Sequence, residues 1–267
     1  MKTYVALWLA LVASTEGFAP RLTRRALTHT RLAASSNPFT DFMDSVTAAL
    51  SPKGAEVVPD EVDVAMAEAR TVLVDAAETK TANGDDVVGA LLSLEKNART
   101  KAKADPKLAV QQLASLNGAW RLVFTTGTID TQQKIGRRIN YFPLKAVQTF
   151  DTESMQLTNG IFLGDFAVVK FFGPFEFNLK SRKLEFDFYD IAVLGAKFSL
   201  GRDGTAAKIG SATGLGSENN EDLVAKGKKP FFNWISADED IATARGGGGG
   251  LALWRRDLEM ESMMEEQ

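Results

Sequence analysis

Carboxylates are the residues of this 267-residue chain whose types and spacing come nearest to chemistry. Glu185 and Asp187 lie two apart, Asp238, Glu239 and Asp240 are contiguous, and Tyr189 adds a phenol. Paired acids and a phenol are what general acid–base catalysis draws on. Each has a plainer reading. Glu185 and Asp187 alternate with Leu184, Phe186 and Phe188, which puts them on the polar, solvated face of a strand, and the acid run 238–240 reads as a turn. The glycine run 246–250 could cradle a phosphate, but a dinucleotide loop follows a strand and opens a helix. This run instead precedes the apolar stretch Leu251-Ala252-Leu253-Trp254 and predicts a hairpin turn. The chain has no Cys, and its one His, His29, falls in the leader described next. Without thiol or imidazole there are no Cys nucleophiles, Ser-His-Asp triads, Cys/His zinc sites or disulfides. The expectation is a protein that is not an enzyme, with no cofactor and no metal.

The N-terminus reads as an address. Lys2 precedes the apolar run 4–12, and Thr15 and Gly17 stand at −3 and −1 of a cut before Phe18. That run suits a signal peptide and is too short for a membrane anchor, which needs about 20 apolar residues. Between positions 18 and 40 there is no Asp or Glu, but there are Arg21, Arg24, Arg25, Arg31 and several Ser and Thr, the composition of a transit peptide. With Phe18-Ala19-Pro20 at the junction, the leader resembles the bipartite presequence of algae with red-algal plastids and implies a plastid destination. Its removal takes away five basic residues (Lys2 and the four arginines) and one acid, Glu16, so the remainder is more negative than the −3 of the whole chain. Such a balance gives no footprint for nucleic acid.

Hydrophobic residues make up 45% and charged residues 24% of the chain, values of an ordinary globular protein. From 40 to 115 the apolar spacing is helical. A short helix carries Phe42, Met43, Val46 and Leu50. A second begins at Asp60 and ends before Asn83-Gly84, a third is capped by Asp85, and a fourth has Pro106 in its first turn. From Gly118 onward the period is two. The alternation predicts strands at 120–125, 145–150, 155–163, 166–172, 191–200, 231–236, 241–245 and 250–256, with a hairpin pairing 175–179 with 184–188. Many short antiparallel strands with no helix between them predict an up-and-down barrel or a sandwich. Residues 201–229, rich in Gly, Ser, Asn and charge, predict a long loop.

Two residues suggest how a barrel would be closed. Gly118-x-Trp120 opens the first strand and Arg245 comes late, the pattern of lipocalin-type barrels in which a Trp plugs one end and an Arg covers the indole. The segment Leu116-Asn117-Gly118-Ala119-Trp120-Arg121-Leu122-Val123-Phe124-Thr125-Thr126 resembles the opening of the plastid lipid-associated protein (fibrillin, or plastoglobulin) domain. Leu94-Glu95-Lys96-Asn97 resembles the segment leading into it. Asp238-Glu239-Asp240-Ile241-Ala242-Thr243-Ala244-Arg245-Gly246 with Gly250-Leu251-Ala252-Leu253-Trp254 resembles the family's closing strands, although the glycine run is long and Trp254 stands where an aliphatic residue is commoner.

The resemblance spans about 60–257. It implies a mainly β protein, a lipocalin-like antiparallel barrel with an N-terminal helical layer, that binds or organises quinones, carotenoids or fatty acyl lipids. It also implies peripheral association with thylakoids or plastoglobules. The chain then divides into presequence 1–35, helical segment 40–115, barrel 116–258 and acidic tail 259–267. Expected ligand-contacting residues are Trp120, Phe124, Phe177, Phe186, Phe188 and Trp254, with Trp120 and Arg245 closing the barrel. The alternative is a scaffold that docks a plastid lipid- or quinone-synthesising enzyme through the helical layer.

Overall fold

The computed structural model describes residues 60–105, 107–200 and 229–265. The presequence 1–35, the short helix expected around 42–50, Pro106 and the loop 201–228 lie outside the described residues. Helix α1, Glu61–Thr79, starts where Asp60 accepts a hydrogen bond from the Asp63 amide at 2.9 Å and stops at Lys80, which takes the left-handed conformation with φ 56°. Helix α2, Gly84–Ala104, is capped by Asn83, whose side chain accepts from the Asp85 amide at 2.8 Å. The expected cap, Asp85, instead sits with Asp86 in the first turn, where the helix dipole favours acids. Helix α3 is Lys107–Ser115.

Eleven strands follow: β1 Gly118–Thr125, β2 Asn140–Tyr141, β3 Lys145–Asp151, β4 Gln156–Leu163, β5 Phe166–Asn178, β6 Lys183–Phe186, β7 Asp190–Val193, β8 Ala196–Ser199, β9 Phe231–Ala237, β10 Ile241–Gly246 and β11 Leu251–Arg256. Helix α4, Ile129–Ile135, lies between β1 and β2, and α5, Leu258–Glu265, ends the described chain. Antiparallel pairing runs β4-β3-β1-β11-β10-β9-β6-β5 and returns from β5 to β4. Those eight strands close an antiparallel barrel, so the expected mainly β class with a helical layer is what forms. Closure leaves no open edge in the ring.

Strand β5 joins two of the expected strands into one of 13 residues. Its second half pairs with β6 and its first half with β7, whose hairpin to β8 turns at Leu194-Gly195. Gly173 permits this divergence: a Cβ there would lie 2.0 Å from the Asp187 carbonyl oxygen, so only a glycine lets the chain leaving β6 cross so near. That crossing also buries Asp187, contrary to the solvated position its alternation predicted.

The helices cover the outer wall. Ala69, Leu73, Ala76 and Ala77 of α1 and Val87, Ala90, Leu91, Leu94 and Ala98 of α2 pack on Val123, Phe124, Ile235, Ile241, Leu251 and Leu253. The alanines let the helix backbones approach, and the aliphatic side chains supply the burial that holds the layer on, about 25 cal/mol per Å². Two β-bulges feed this face. The β1–β11 register shifts between Leu122 and Phe124, and the β9–β10 register shifts between the pairs made by Thr243 and Ala244. Each adds one residue, Val123 and Ile235, and each reverses the in–out alternation beyond it.

Candidate functional site

The inner face of the barrel follows from cross-strand register. Trp120 opposes Gln148 and Arg256; Gln148 opposes Asn159; Leu122 opposes Trp254; Phe150 opposes Leu157; Phe175 opposes Phe186. On one side the lumen holds a continuous chain of rings. Phe175 meets Phe150 (centroids 5.8 Å apart), Phe150 meets Trp234 (5.6 Å), and Trp234 meets Trp254 (5.3 Å) and Phe232 (5.9 Å). Phe232 stacks on Phe186 at 5.4 Å, and Phe186 and Phe171 both touch Phe188. Offset and edge-to-face pairs at these separations are the favourable aromatic geometries. The opposite wall, on β1, β3 and β4, is different. Leu122, Ala146, Gln148, Asn159 and Ile161 face inward and are only half-buried.

Polar atoms line this space without partners. Gln148 Oε1, Asn159 Oδ1 and Trp234 Nε1 are buried and make no hydrogen bond among the described residues. Two acceptors and one donor left bare in an aromatic lumen are groups that a ligand hydroxyl or carbonyl, or a bridging water, would satisfy. The alternation in β3 and β4 marks Gln148 and Asn159 as inward polar residues, a signal in the sequence that the aromatic count outweighed. The unbonded Trp234 Nε1 had no such signal.

Of the expected ligand-contacting residues, Phe186, Phe188 and Trp254 lie in the ring chain, and Phe177 shares the inward face through its pairing with Leu184. Trp120 is fully buried on the same face. Phe124 is a correction. The bulge at Val123 turns it outward, where it packs under the helices and meets Tyr141 edge-on at 5.4 Å.

Trp120 is covered by a different arginine from the one expected. Trp120 Nε1 donates to the Leu116 carbonyl at 2.8 Å, and the guanidinium of Arg256 lies 4.5 Å from the Trp120 ring centre. Arg256 also donates to the carbonyls of Ser115 (2.8 Å) and Asn117 (3.1 Å) and to Glu261 (2.8 Å). Gly118 makes room at φ 113°, since a Cβ would meet Glu261 Oε1 at 2.1 Å. Arg245, expected over the indole, cannot reach it. Its neighbour Ala244 opposes inward Trp234, so Arg245 points outward. There it grips Glu95 of α2 in a two-pronged pair at 2.8 and 2.5 Å and donates to the Gly249 carbonyl at 2.8 Å. Those hydrogen bonds hold the Glu95 carboxyl below its ordinary range and push the Arg245 pKa up.

The acid turn is a second clamp. Arg70 of α1 donates to Asp238 (2.7 and 3.2 Å) and Asp240 (2.5 Å). Burial pushes the Asp238 carboxyl up, and hydrogen bonds from Arg70 and the amides of Ile241 and Asp240 outweigh it and bring it below the usual range. The glycine run closes a β10–β11 turn, with Gly246 N–H donating to the Gly250 carbonyl at 2.8 Å. Among the described residues no group of three or more His, Cys, Asp or Glu could hold a metal ion.

A cap of apolar side chains marks the far end of the barrel. Leu163, at 76% exposure, and Phe166 pair across the β4–β5 turn, and Leu194, at 65%, donates its amide to the Val168 carbonyl beside them. Lys145 and Lys170 flank the cap, each about 6 Å from the Phe162 ring centre.

Comparison with known proteins gives one match. No curated protein and no solved structure matches the chain. The family model PAP_fibrillin matches residues 75–253, about two thirds of the chain. That span contains Glu95, Arg245, Trp120 and the inward rings other than Trp254, and on it the chain belongs to the PAP/fibrillin family of plastid lipid-associated proteins.

Proposed function

We propose that this chain is a non-catalytic plastid protein that binds or organises hydrophobic molecules, quinones, carotenoids or fatty acyl lipids, in its barrel lumen. It reaches the plastid through its signal and transit sequences and works at thylakoid or plastoglobule surfaces. The carrying observation is the half-buried inward wall of Leu122, Ala146, Gln148, Asn159 and Ile161 facing the ring chain. An eight-stranded barrel is either filled by its own side chains or holds one small ligand, and inward side chains that solvent still reaches favour the second. The unbonded atoms of Gln148, Asn159 and Trp234 favour a ligand whose flat or extended apolar body carries a hydroxyl or carbonyl.

Trp234 and Trp254 are built-in reporters. Titration with a short-chain plastoquinone analogue is expected to quench their fluorescence to saturation at one molecule per chain. Linear, non-saturating quenching would overturn the lumen reading. The cap of Leu163, Phe166 and Leu194 beside Lys170 fits an anionic lipid surface, with apolar side chains entering the acyl layer and Lys170 meeting head groups, while Lys145 is held by Asp165 at 3.1 Å. Co-flotation with phosphatidylglycerol vesicles, lost in Leu194→Ser/Phe166→Ser, is the expected result; equal flotation of the variant would remove the cap from this role. The scaffold alternative rests on an open groove of about 570 Å³ between α1 and α2, lined by Glu61, Val62, Ala65, Leu92, Ser93, Lys96 and Asn97. That surface is more polar than the lumen, and the lumen is the stronger site.

A further inference from the structure

On the outer wall, away from both the lumen and the apolar cap, β1 and β11 place two arginines directly opposite one another: Arg121 pairs with Arg255. Like charges at opposed positions of an antiparallel pair repel, and an aromatic or opposite-charge pair there would be stabilising. Lys80 joins them from the end of α1, close enough that both arginines, after burial, push its pKa down. The carbonyl end of a helix favours a cation, which accounts for Lys80 but not for the arginines. Arg121 Nε is buried and makes no hydrogen bond among the described residues. Asp257, two residues beyond Arg255, makes no ion pair with either arginine among the described residues; its Oδ1 accepts the Met260 amide and its Oδ2 has no partner there. Two arginines of the helix–barrel interface, Arg70 and Arg245, are held by carboxylates.

Three cations without a carboxylate partner among the described residues, one with its Nε–H unbonded, describe a receptor for an oxyanion. Guanidinium forks match the oxygens of a phosphate two at a time, and an ammonium adds a point charge. We propose that Lys80, Arg121 and Arg255 bind a phosphate group, presented either as a free phosphate or as the head group of a lipid. Bound phosphate would neutralise the opposed arginines and give Arg121 Nε its missing acceptor. This site is independent of whether the lumen holds a ligand.

The test compares the wild-type chain with Arg121→Gln/Arg255→Gln at constant ionic strength. Inorganic phosphate raises the melting temperature of any protein that binds it in the native state only. Wild type is expected to gain stability with phosphate over matched chloride, and the variant to respond at concentrations at least tenfold higher. In chloride alone the variant is expected to melt no lower than wild type, because removing two opposed like charges relieves repulsion. In a second arm both proteins are floated with phosphatidylglycerol and with phosphatidylcholine vesicles. A variant-sensitive response to inorganic phosphate identifies the free ion as sufficient. A variant-sensitive response only to phosphatidylglycerol identifies the lipid head group. Indistinguishable responses of the two proteins in both arms overturn the proposal. So does a variant that melts well below wild type in chloride, since the arginines would then be serving the fold.

Discussion

The two faces of the barrel wall satisfy their polar groups in opposite ways. Outside, under the helices, Arg245 is held by Glu95 and Gly249, Arg70 by Asp238 and Asp240, and the packing between them is alanine and aliphatic. Inside, the packing is aromatic, and Gln148, Asn159 and Trp234 carry bare donors and acceptors. A buried polar group without a partner costs about 1–3 kcal/mol, so the helix–barrel interface around these two clamps is arranged for stability and the inner face carries a local cost. The contrast teaches where to look for function: the lumen, not the better-bonded interface.

Four measurements break or sharpen this contrast. Leu91, fully buried in the helix–barrel interface, should matter most. Leu91→Ala is expected to lower unfolding free energy by about 3 kcal/mol in urea denaturation, while quinone-induced quenching of the folded protein is unchanged; a loss of quenching in the folded variant would join the two faces into one site.

Arg245→Gln comes next, at about 2 kcal/mol, because it strips a largely buried carboxylate of two charge-assisted hydrogen bonds. Here pH sets the sign. The folded-state pKa of Glu95 is lowered from the ordinary 4.5, so the pair contributes fully above that value and its contribution is lost as pH falls through the folded pKa. The gap between wild type and variant should therefore close in acid. A gap independent of pH would mean that Arg245 acts by packing alone.

Arg256→Lys should cost about 1 kcal/mol, since a lysine keeps the charge near Trp120 but not the fork onto Ser115, Asn117 and Glu261. Near-UV circular dichroism of Trp120 would report the loosened plug; an unchanged melting curve and spectrum would deny Arg256 that role. Gln148→Leu should have the smallest effect on stability and the opposite sign, a gain of about 0.5 kcal/mol from removing a bare acceptor. Binding of a hydroxylated ligand should weaken at the same time. A clear loss of stability would show that Gln148 belongs to the packing of the fold.

The helices were legible because capping and period-3.6 spacing are local. The helix expected to begin at Asp60 does so, with Asp60 as its cap. The strands were legible for the same reason, and alternation gave the shared face of Phe175, Phe177, Leu184 and Phe186, whereas the hairpin register, Phe175 opposite Phe186, is shifted by two from the pairing of 175–179 with 184–188. What failed was phase. Val123 and Ile235 are unremarkable apolar residues in apolar strands, and nothing beside them announces a bulge. The bulge at Val123 nonetheless decides that Phe124 leaves the lumen, and the outward phase of Arg245 on β10 leaves Arg256, opposite Trp120, to cover the indole. The segments Leu94-Glu95-Lys96-Asn97 and Arg245-Gly246 were read separately; the Glu95–Arg245 pair joins them across 150 residues.

The sequence by itself determined the absence of thiol and all but one imidazole, the acidic balance, the change from helical to alternating period and the family. These depend on residue types and on spacings of two to four, which the backbone geometry of helix and strand converts directly into faces. Only the tertiary structure decided which side of the wall each residue of a face meets, which cations find carboxylates and which are left opposed. Those outcomes depend on register between strands distant in the chain, and one inserted residue reverses them.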